Sequence, residues 1–107
     1  MKRSRPTYNI DEAVRLVKGK SYDITLTAAN LLSNHGLDVS DTVMEVFGAL
    51  QTKAARFHKS DELVIRPGVF ADIYFVECLD EEWYVKFYID DTVVVVILSC
   101  KPDGAGW

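Results

Sequence analysis

The chain has 107 residues, of which 49% are hydrophobic and 26% are charged, and its formal net charge at pH 7 is −4. This balance is typical of a packed globular chain and excludes a disordered one, while the acidic charge excludes a uniformly basic surface for nucleic acid. We expect a single domain over residues 1–107, with residues 102–107 as a loose tail.

The first predicted elements are a helix and a short strand. Asn9, with Glu12 three residues later, is the pattern of a helical capping box, and apolar residues at helical spacing follow until Gly19. In Tyr22–Leu26 the larger apolar side chains alternate with polar ones, which predicts a half-buried strand. Because this strand is short, we expect it at an edge of the sheet.

Two further helices are predicted before the sheet begins. Thr27 is placed to cap the second helix, and Gly36 can end that helix in a left-handed conformation. Asp38 or Ser40 then caps a third helix, in which Gly48 should cost about 1 kcal/mol relative to alanine. We expect close packing against another helix to be the reason for this glycine.

After residue 56 the apolar pattern changes from the helical period to that of strands. The predicted strands are Phe57, Leu63–Ile65, Val69–Cys78, Trp83–Ile89 and Thr92–Ser99. The turns expected between them are Asp61–Glu62, Arg66–Gly68, Asp80–Glu82 and Asp90–Asp91. Short turns imply antiparallel neighbours, so the sequence predicts an α+β fold with N-terminal helices packed on a C-terminal antiparallel sheet.

The strand Trp83–Ile89 suggests the first candidate binding surface. Its apolar side chains would face the helices, leaving Tyr84, Lys86 and Tyr88 on the opposite face of the sheet. Such a face can stack bases and neutralise phosphate, as binding of single-stranded RNA requires. The same residues are common on the solvated face of any antiparallel strand, so both interpretations stay open.

The second candidate is the His58–Lys59 pair, which lies where helices give way to strands. A lysine beside a histidine could stabilise charge and transfer a proton, although such a pair is also common at a solvated strand end. The histidines and cysteines stand at positions 35, 58, 78 and 100 and include no closely spaced pair of metal ligands. We therefore expect no metal in this chain and no cofactor.

The expected location is the cytoplasm. No continuous apolar segment follows the basic N-terminus, so we expect neither a signal peptide nor a transmembrane helix, and no membrane partner. Cys78 and Cys100 are the only thiols, too few for a disulfide framework, and we interpret both as small hydrophobic residues.

Six short motifs, which are spread along nearly the whole chain, carry a resemblance to a known family. They are Lys2–Arg3 with Pro6–Tyr8, Gly36–Leu37, Phe57–Ser60, Asp72–Tyr74, Tyr84–Phe87 and Ser99–Lys101. In their order and spacing they resemble the MqsR family of bacterial toxin ribonucleases, the toxic halves of type II toxin–antitoxin pairs. The resemblance implies a RelE-like fold, an endoribonuclease that cuts mRNA, and a cognate antitoxin protein that covers the active surface and holds the zinc.

Matched motif by motif, the resemblance implies that Lys59, Tyr84 and Lys101 are catalytic. Cleavage of RNA without a metal uses the ribose 2′-hydroxyl as nucleophile, so the enzyme must stabilise phosphate charge and help the leaving oxygen depart. We expect the two lysines to stabilise that charge, and Tyr84 to position the phosphate or to protonate the leaving oxygen. His58 stands where the family usually has tyrosine, and it is a candidate general base.

Arg66 and Lys86 are secondary candidates for phosphate binding, and Tyr88 for base stacking. Ala71 stands where the resemblance places a functional glutamine, and an alanine side chain cannot hydrogen-bond to ribose or phosphate. The alternative hypothesis is therefore a catalytically degenerate protein that keeps the toxin fold and acts as a protein- or RNA-binding module.

Overall fold

The computed structural model describes residues 1–104, in which three helices and six strands are formed. In chain order the elements are β1 (Lys2–Arg3), α1 (Ile10–Lys18), β2 (Tyr22–Ile24), α2 (Leu26–Asn34), α3 (Val39–Ala49), β3 (Ala55–Leu63), β4 (Arg66–Cys78), β5 (Glu81–Ile89) and β6 (Val95–Pro102). The strands form one sheet in the order β1-β3-β4-β5-β6-β2. Every neighbouring pair is antiparallel except β2 with β6. This architecture confirms the α+β class.

The simple division into N-terminal helices and C-terminal strands is not what the chain adopts. The unpredicted strand β1 precedes all helices and pairs with β3, while β2 lies between α1 and α2 and pairs with β6. The prediction that the strand at Tyr22 lies at an edge is confirmed. Pro102, assigned to the predicted tail, is the buried last residue of β6, and residues 105–107 lie outside the described part of the chain.

Side-chain caps determine where the helices begin. The Asn9 side chain accepts the N–H of Glu12 at 3.0 Å, and α1 ends before Gly19, as predicted. The second helix is capped by Thr25 rather than Thr27, because the Thr25 hydroxyl accepts the N–H three residues ahead and the backbone is already helical from residue 26. Asp38, one of the two predicted candidates, caps α3.

Gly48 lies in the last turn of α3, and its position has room for a side chain. A Cβ placed there would meet no atom of a neighbouring element within 4 Å, so the expected close packing is wrong. Gly48→Ala should raise the free energy of unfolding by about 1 kcal/mol, because alanine loses less conformational entropy than glycine in a helix. Urea denaturation measures this change, and an unchanged or lower stability would contradict it.

Two of the predicted turns lie inside strands. Asp61–Glu62 belongs to β3 and Arg66–Gly68 to β4, while the turn that joins these strands is Val64–Ile65. The Glu62 carboxylate accepts the Gly68 N–H at 2.7 Å across the hairpin, which ties the two polar segments together. Polar residues that looked like turn residues are thus cross-strand partners.

The other two turns are shifted along the chain. Leu79–Asp80 joins β4 to β5 with both residues at positive φ, 52° and 63°, so the turn begins before the predicted Asp80–Glu82. The last strand begins at Val95 rather than Thr92, because Val93 lies in the preceding turn at a φ of 61°. Val93 was part of the predicted strand but lies outside β6, and it is 51% exposed.

The hydrophobic core lies between the helices and one side of the sheet, which we call the inner face. Its largest fully buried side chains from the sheet are Val76, Trp83, Val85, Phe87 and Ile97. Leu32, Val43 and Phe47 from α2 and α3 join them in one cluster with residues of α1. None of the helices in residues 1–104 has the length and apolar character needed to cross a membrane.

A buried carboxylate holds the N-terminal segment against this sheet. Asp72 has no exposed surface, and its two oxygens accept the backbone N–H groups of Thr7 at 3.0 Å and Tyr8 at 2.9 Å. The Thr7 hydroxyl also lies 2.7 Å from that of buried Ser60. These bonds satisfy polar groups that would otherwise be buried without partners.

Candidate active site

The side of the sheet opposite the helices, which we call the outer face, brings the predicted catalytic residues together. Tyr84 pairs with Lys101 on β6 and with Phe75 on β4, so these three side chains form one row across the sheet. In the next row Lys59 and Lys86 flank Ile73. We refer to His58, Lys59, Tyr84 and Lys101 as the outer-face cluster.

A bulge in β3 places two consecutive residues of this cluster near the same face. The register between β3 and β4 shifts between Phe57 and Lys59, so His58 has no partner of its own. Its ring lies 5.2 Å from that of Phe75, which shows that it turns toward the outer face. Without the bulge, strand alternation would send His58 and Lys59 to opposite sides.

Aromatic rings run across the centre of the outer face. The Phe75 and Tyr84 ring centroids are 5.7 Å apart, so His58, Phe75 and Tyr84 form a continuous row. The Arg56 guanidinium lies 5.2 Å from the Phe75 centroid, and Lys101 Nζ lies 5.9 Å from that of Tyr84. The Arg56 guanidinium is also paired with the Glu82 carboxylate at 2.6 Å, so Lys101 is the cation of this row without a salt bridge in residues 1–104. Aromatic surface beside positive charge is what a binding site for single-stranded nucleic acid needs.

Phe75 and Arg56 were not among the residues predicted for the site. Phe75 lies in β4, where apolar residues occupy both faces, so alternation alone cannot assign its direction. Arg56 precedes the predicted start of its strand. Phe75 could have been predicted from the hairpin register. If the β4–β5 turn is placed at Leu79–Asp80, Phe75 pairs with Tyr84 across the two strands.

The charge state of Tyr84 suits a proton donor. Burial raises the pKa of its hydroxyl, Lys59 lowers it, and Asp61 raises it in turn. The pKa stays above its ordinary value, so the phenol is protonated at neutral pH. A protonated hydroxyl beside cationic side chains can donate to an oxygen that gains negative charge.

Lys59 is only partly available to a ligand. Its Nζ lies 3.2 Å from the Asp61 carboxylate, and the Lys59 side chain is 35% exposed. An ion pair this exposed contributes little to stability. Its main consequence is that an approaching phosphate must compete with Asp61 for the same ammonium group.

The predicted RNA-binding residues fall into two groups. Lys86 lies in the row beside Lys59, next to the outer-face cluster. Arg66 and Tyr88 instead line a cavity of about 450 Å³ at the far end of β5, together with Tyr8 and Asp90. Tyr88 is only 7% exposed, so little of its ring is open for stacking on the free outer face.

Neither cysteine is placed to act as a nucleophile. Burial raises the pKa of the Cys100 thiol to about 12, and burial also raises that of Cys78. Both thiols are therefore protonated at neutral pH and behave as small hydrophobic groups. In residues 1–104 the structure places no three His, Cys, Asp or Glu side chains where they could share a metal ion. That the chain acts without metal or cofactor stays a prediction.

Ala71 is fully buried on the outer face, opposite Asp61. It presents no polar group at the position where the resemblance expects one.

No protein-family model matches the sequence, and a comparison with curated proteins found no match.

Proposed function

We propose that the protein is an endoribonuclease toxin of a bacterial toxin–antitoxin pair, which cuts mRNA in the cytoplasm without a metal and so arrests growth. The observation that carries the proposal is that, on the outer face, Lys101 lies beside the Tyr84 ring and the charge of Lys59 acts on the Tyr84 hydroxyl. The three helices of residues 1–104 pack on the inner face, which supports a RelE-like arrangement. The outer face is the surface that a cognate antitoxin would cover.

The chemistry requires a sequence of proton movements around one phosphate. The ribose 2′-oxygen attacks phosphorus and loses its proton to a base, for which His58 is the candidate. The bond from phosphorus to the 5′-oxygen of the next nucleotide breaks, and Tyr84 supplies the proton that this oxygen takes. Lys59 and Lys101 stabilise the negative charge on the phosphorane between these steps. The products carry a 2′,3′-cyclic phosphate and a 5′-hydroxyl.

The outer face also explains how an acidic chain can bind RNA. The formal net charge is −4, yet Lys59, Lys86 and Lys101 are close together on this face. Phosphate contacts from such lysines hold a strand, and the row through Phe75 offers rings on which unpaired bases can stack. Local charge on the binding face matters more for this purpose than the sum over the chain.

The Lys59–Asp61 ion pair gives a prediction of its own. Asp61→Asn should tighten RNA binding several-fold, because it removes the carboxylate that competes with phosphate for Lys59. Fluorescence anisotropy with a labelled single-stranded oligonucleotide at fixed salt measures the dissociation constant. The control is Asp23→Asn, an exposed carboxylate on β2 at the far edge of the sheet. Equal changes in both variants would show a general charge effect and contradict the prediction.

A second candidate function is a non-catalytic binding module with the same fold. The buried Ala71 favours it, because no amide is available there to hold ribose or phosphate. Such a protein would keep the surface for an antitoxin or for RNA without cleaving.

Expression in bacteria without an antitoxin separates the two functions. An active toxin should arrest growth, and Lys59→Ala should relieve the arrest at equal protein levels on an immunoblot. Lys18→Ala, an exposed lysine at the end of α1, is the matched control and should remain toxic. If the wild type and Lys59→Ala are both harmless, the nuclease proposal is wrong and the binding module is favoured.

A further inference from the structure

Strands β4 and β5 separate at one end of the sheet. Their pairing runs from Cys78 with Glu81 to Asp72 with Phe87. Both strands continue past this point, β4 back to Arg66 and β5 on to Ile89, yet within residues 1–104 no further pair joins them. The backbone donors and acceptors that a continued ladder would use are therefore not paired between these two strands.

Tyr8 acts as a wedge where the two strands part. Its hydroxyl donates to the carbonyl of Phe70 on β4 at 2.7 Å, and its ring lies 6.2 Å from that of Phe87 on β5. Burial and Asp72 raise the pKa of this hydroxyl, while the backbone N–H of Ile89 on β5 lowers it. A side chain of the N-terminal segment thus reaches backbone groups of both strands.

Beyond the wedge lies the cavity of about 450 Å³, which we call the β4–β5 cleft. Gly68 and Val69 line it from β4, and Tyr88 lines it from β5. Tyr88 is 7% exposed, and within residues 1–104 its hydroxyl has no hydrogen-bond partner. A nearly buried tyrosine whose hydroxyl remains open to a cleft is suited to bind a polar edge of a ligand.

The rim of the cleft combines an exposed cation, Arg66, with a turn that is fixed by hydrogen bonds. Arg66 forms no salt bridge within residues 1–104, and the Asp90 carboxylate accepts the backbone N–H groups of Thr92 and Val94. The hydrogen bond from the Thr92 hydroxyl lowers the pKa of Asp90, and the charge of Arg66 lowers it as well. Val93 in the same turn has a φ of 61°, which is costly for a β-branched residue. Backbone strain of this kind is concentrated at binding and catalytic sites.

The cleft and the outer-face cluster lie along the same strand. Tyr88 is four residues beyond Tyr84, which places it about 13 Å away on the same side of β5, with Lys86 between them. A single-stranded RNA whose phosphate lies at Tyr84 can therefore pass Lys86 and reach the cleft with a nearby nucleotide.

We propose that the β4–β5 cleft holds one unpaired base of the RNA and thereby determines the sequence at which the strand is cut. Tyr8 lines one wall of the cleft, and the Tyr88 hydroxyl, which is open to the cleft, binds the base edge. Arg66 at the rim binds the adjoining phosphate. This inference rests on the proposed nuclease function and adds to it the site of base selection.

The test is the sequence preference around cut sites in a long mRNA, mapped by sequencing the new RNA ends. The wild type should prefer one base about 10-fold or more at a fixed position near the cut. Tyr88→Phe should weaken that preference, and Tyr88→Leu should abolish it while cutting continues. Arg66→Gln should slow cutting at all sites and leave the preference unchanged, because phosphate contacts carry no sequence information.

Lys18→Gln is the control, and it should match the wild type in both rate and preference. Thermal unfolding checks that the Tyr88 variants are folded. If they are destabilised, the cutting rate and preference of Arg66→Gln provide a second readout, because Arg66 is exposed. The inference is overturned if folded Tyr88→Leu keeps the wild-type preference, or if Arg66→Gln changes preference rather than rate. If the wild type cuts no RNA, both the proposed nuclease function and this inference fail. If the wild type cuts RNA and folded Tyr88→Leu keeps its preference, only this inference fails.

Discussion

Lys59→Ala should reduce the rate of RNA cleavage by about 10²–10³-fold, a loss comparable to removing one preorganised group that stabilises transition-state charge. Lys59 lies on β3 in the row next to that of Tyr84, and its charge lowers the pKa of the Tyr84 hydroxyl. Its removal leaves the phosphorane with Lys101 as the remaining catalytic lysine. Single-turnover cleavage of a defined RNA substrate measures the chemical step directly.

Two control variants make this result specific. Lys18→Ala removes the same charge from α1, behind the inner face, and should leave the rate unchanged. Lys59→Arg keeps the positive charge on a side chain of different shape, so its cleavage rate should lie between those of the wild type and Lys59→Ala. If Lys59→Ala cleaves as fast as Lys18→Ala, the proposed role of Lys59 is wrong.

Asp72→Ala should destabilise the fold by about 3 kcal/mol. The Asp72 carboxylate is fully buried and accepts the backbone N–H groups of Thr7 and Tyr8. Its removal leaves two donors without a partner, at about 1–3 kcal/mol each, and frees the N-terminal segment from the sheet. The free energy of unfolding from urea denaturation measures the loss.

The matched control for Asp72 is Asp23→Ala, which removes an exposed carboxylate from β2 and should change stability by less than about 0.5 kcal/mol. Hydrogen exchange should also show faster exchange of the Thr7 and Tyr8 amides in Asp72→Ala. A variant as stable as Asp23→Ala, with both amides still protected, would show that Asp72 does not hold the N-terminal segment.

The helices could be predicted well because their boundaries depend on local contacts. The Asn9 and Asp38 caps bond to N–H groups three residues ahead, which are visible in the sequence. The error at Thr27 arose because Thr25 offers the same hydroxyl two residues earlier, and a propensity argument cannot choose between them. Such choices depend on where the preceding strand ends.

The strands were harder to predict because polar residues occur both in turns and as cross-strand partners. Asp61–Glu62 reads as a turn, yet these residues are paired across β3 and β4. The real turns, Val64–Ile65 and Leu79–Asp80, contain apolar residues that are typical of strands. Contacts between distant residues, which the local pattern does not contain, decided these positions.

The outer-face cluster was predicted because its residues occur in recognisable motifs, whereas its surroundings were not. Asp61 and Phe75 belong to the site through register, which follows from hairpin geometry. The Tyr8 wedge joins residues 62 positions apart through a backbone carbonyl. No sequence pattern marks a carbonyl as an acceptor, so the β4–β5 cleft could be found only in the folded chain.

The most direct test of the central claim is the chemistry of the RNA ends that the protein produces in the presence of EDTA. Purified wild type should cut a long mRNA into discrete fragments with 2′,3′-cyclic phosphate and 5′-hydroxyl ends, as attack by the 2′-hydroxyl requires. Substrate with 2′-deoxyribose at the cut site should resist. Intact RNA at high protein concentration, or fragments with 5′-phosphate ends, would contradict the account.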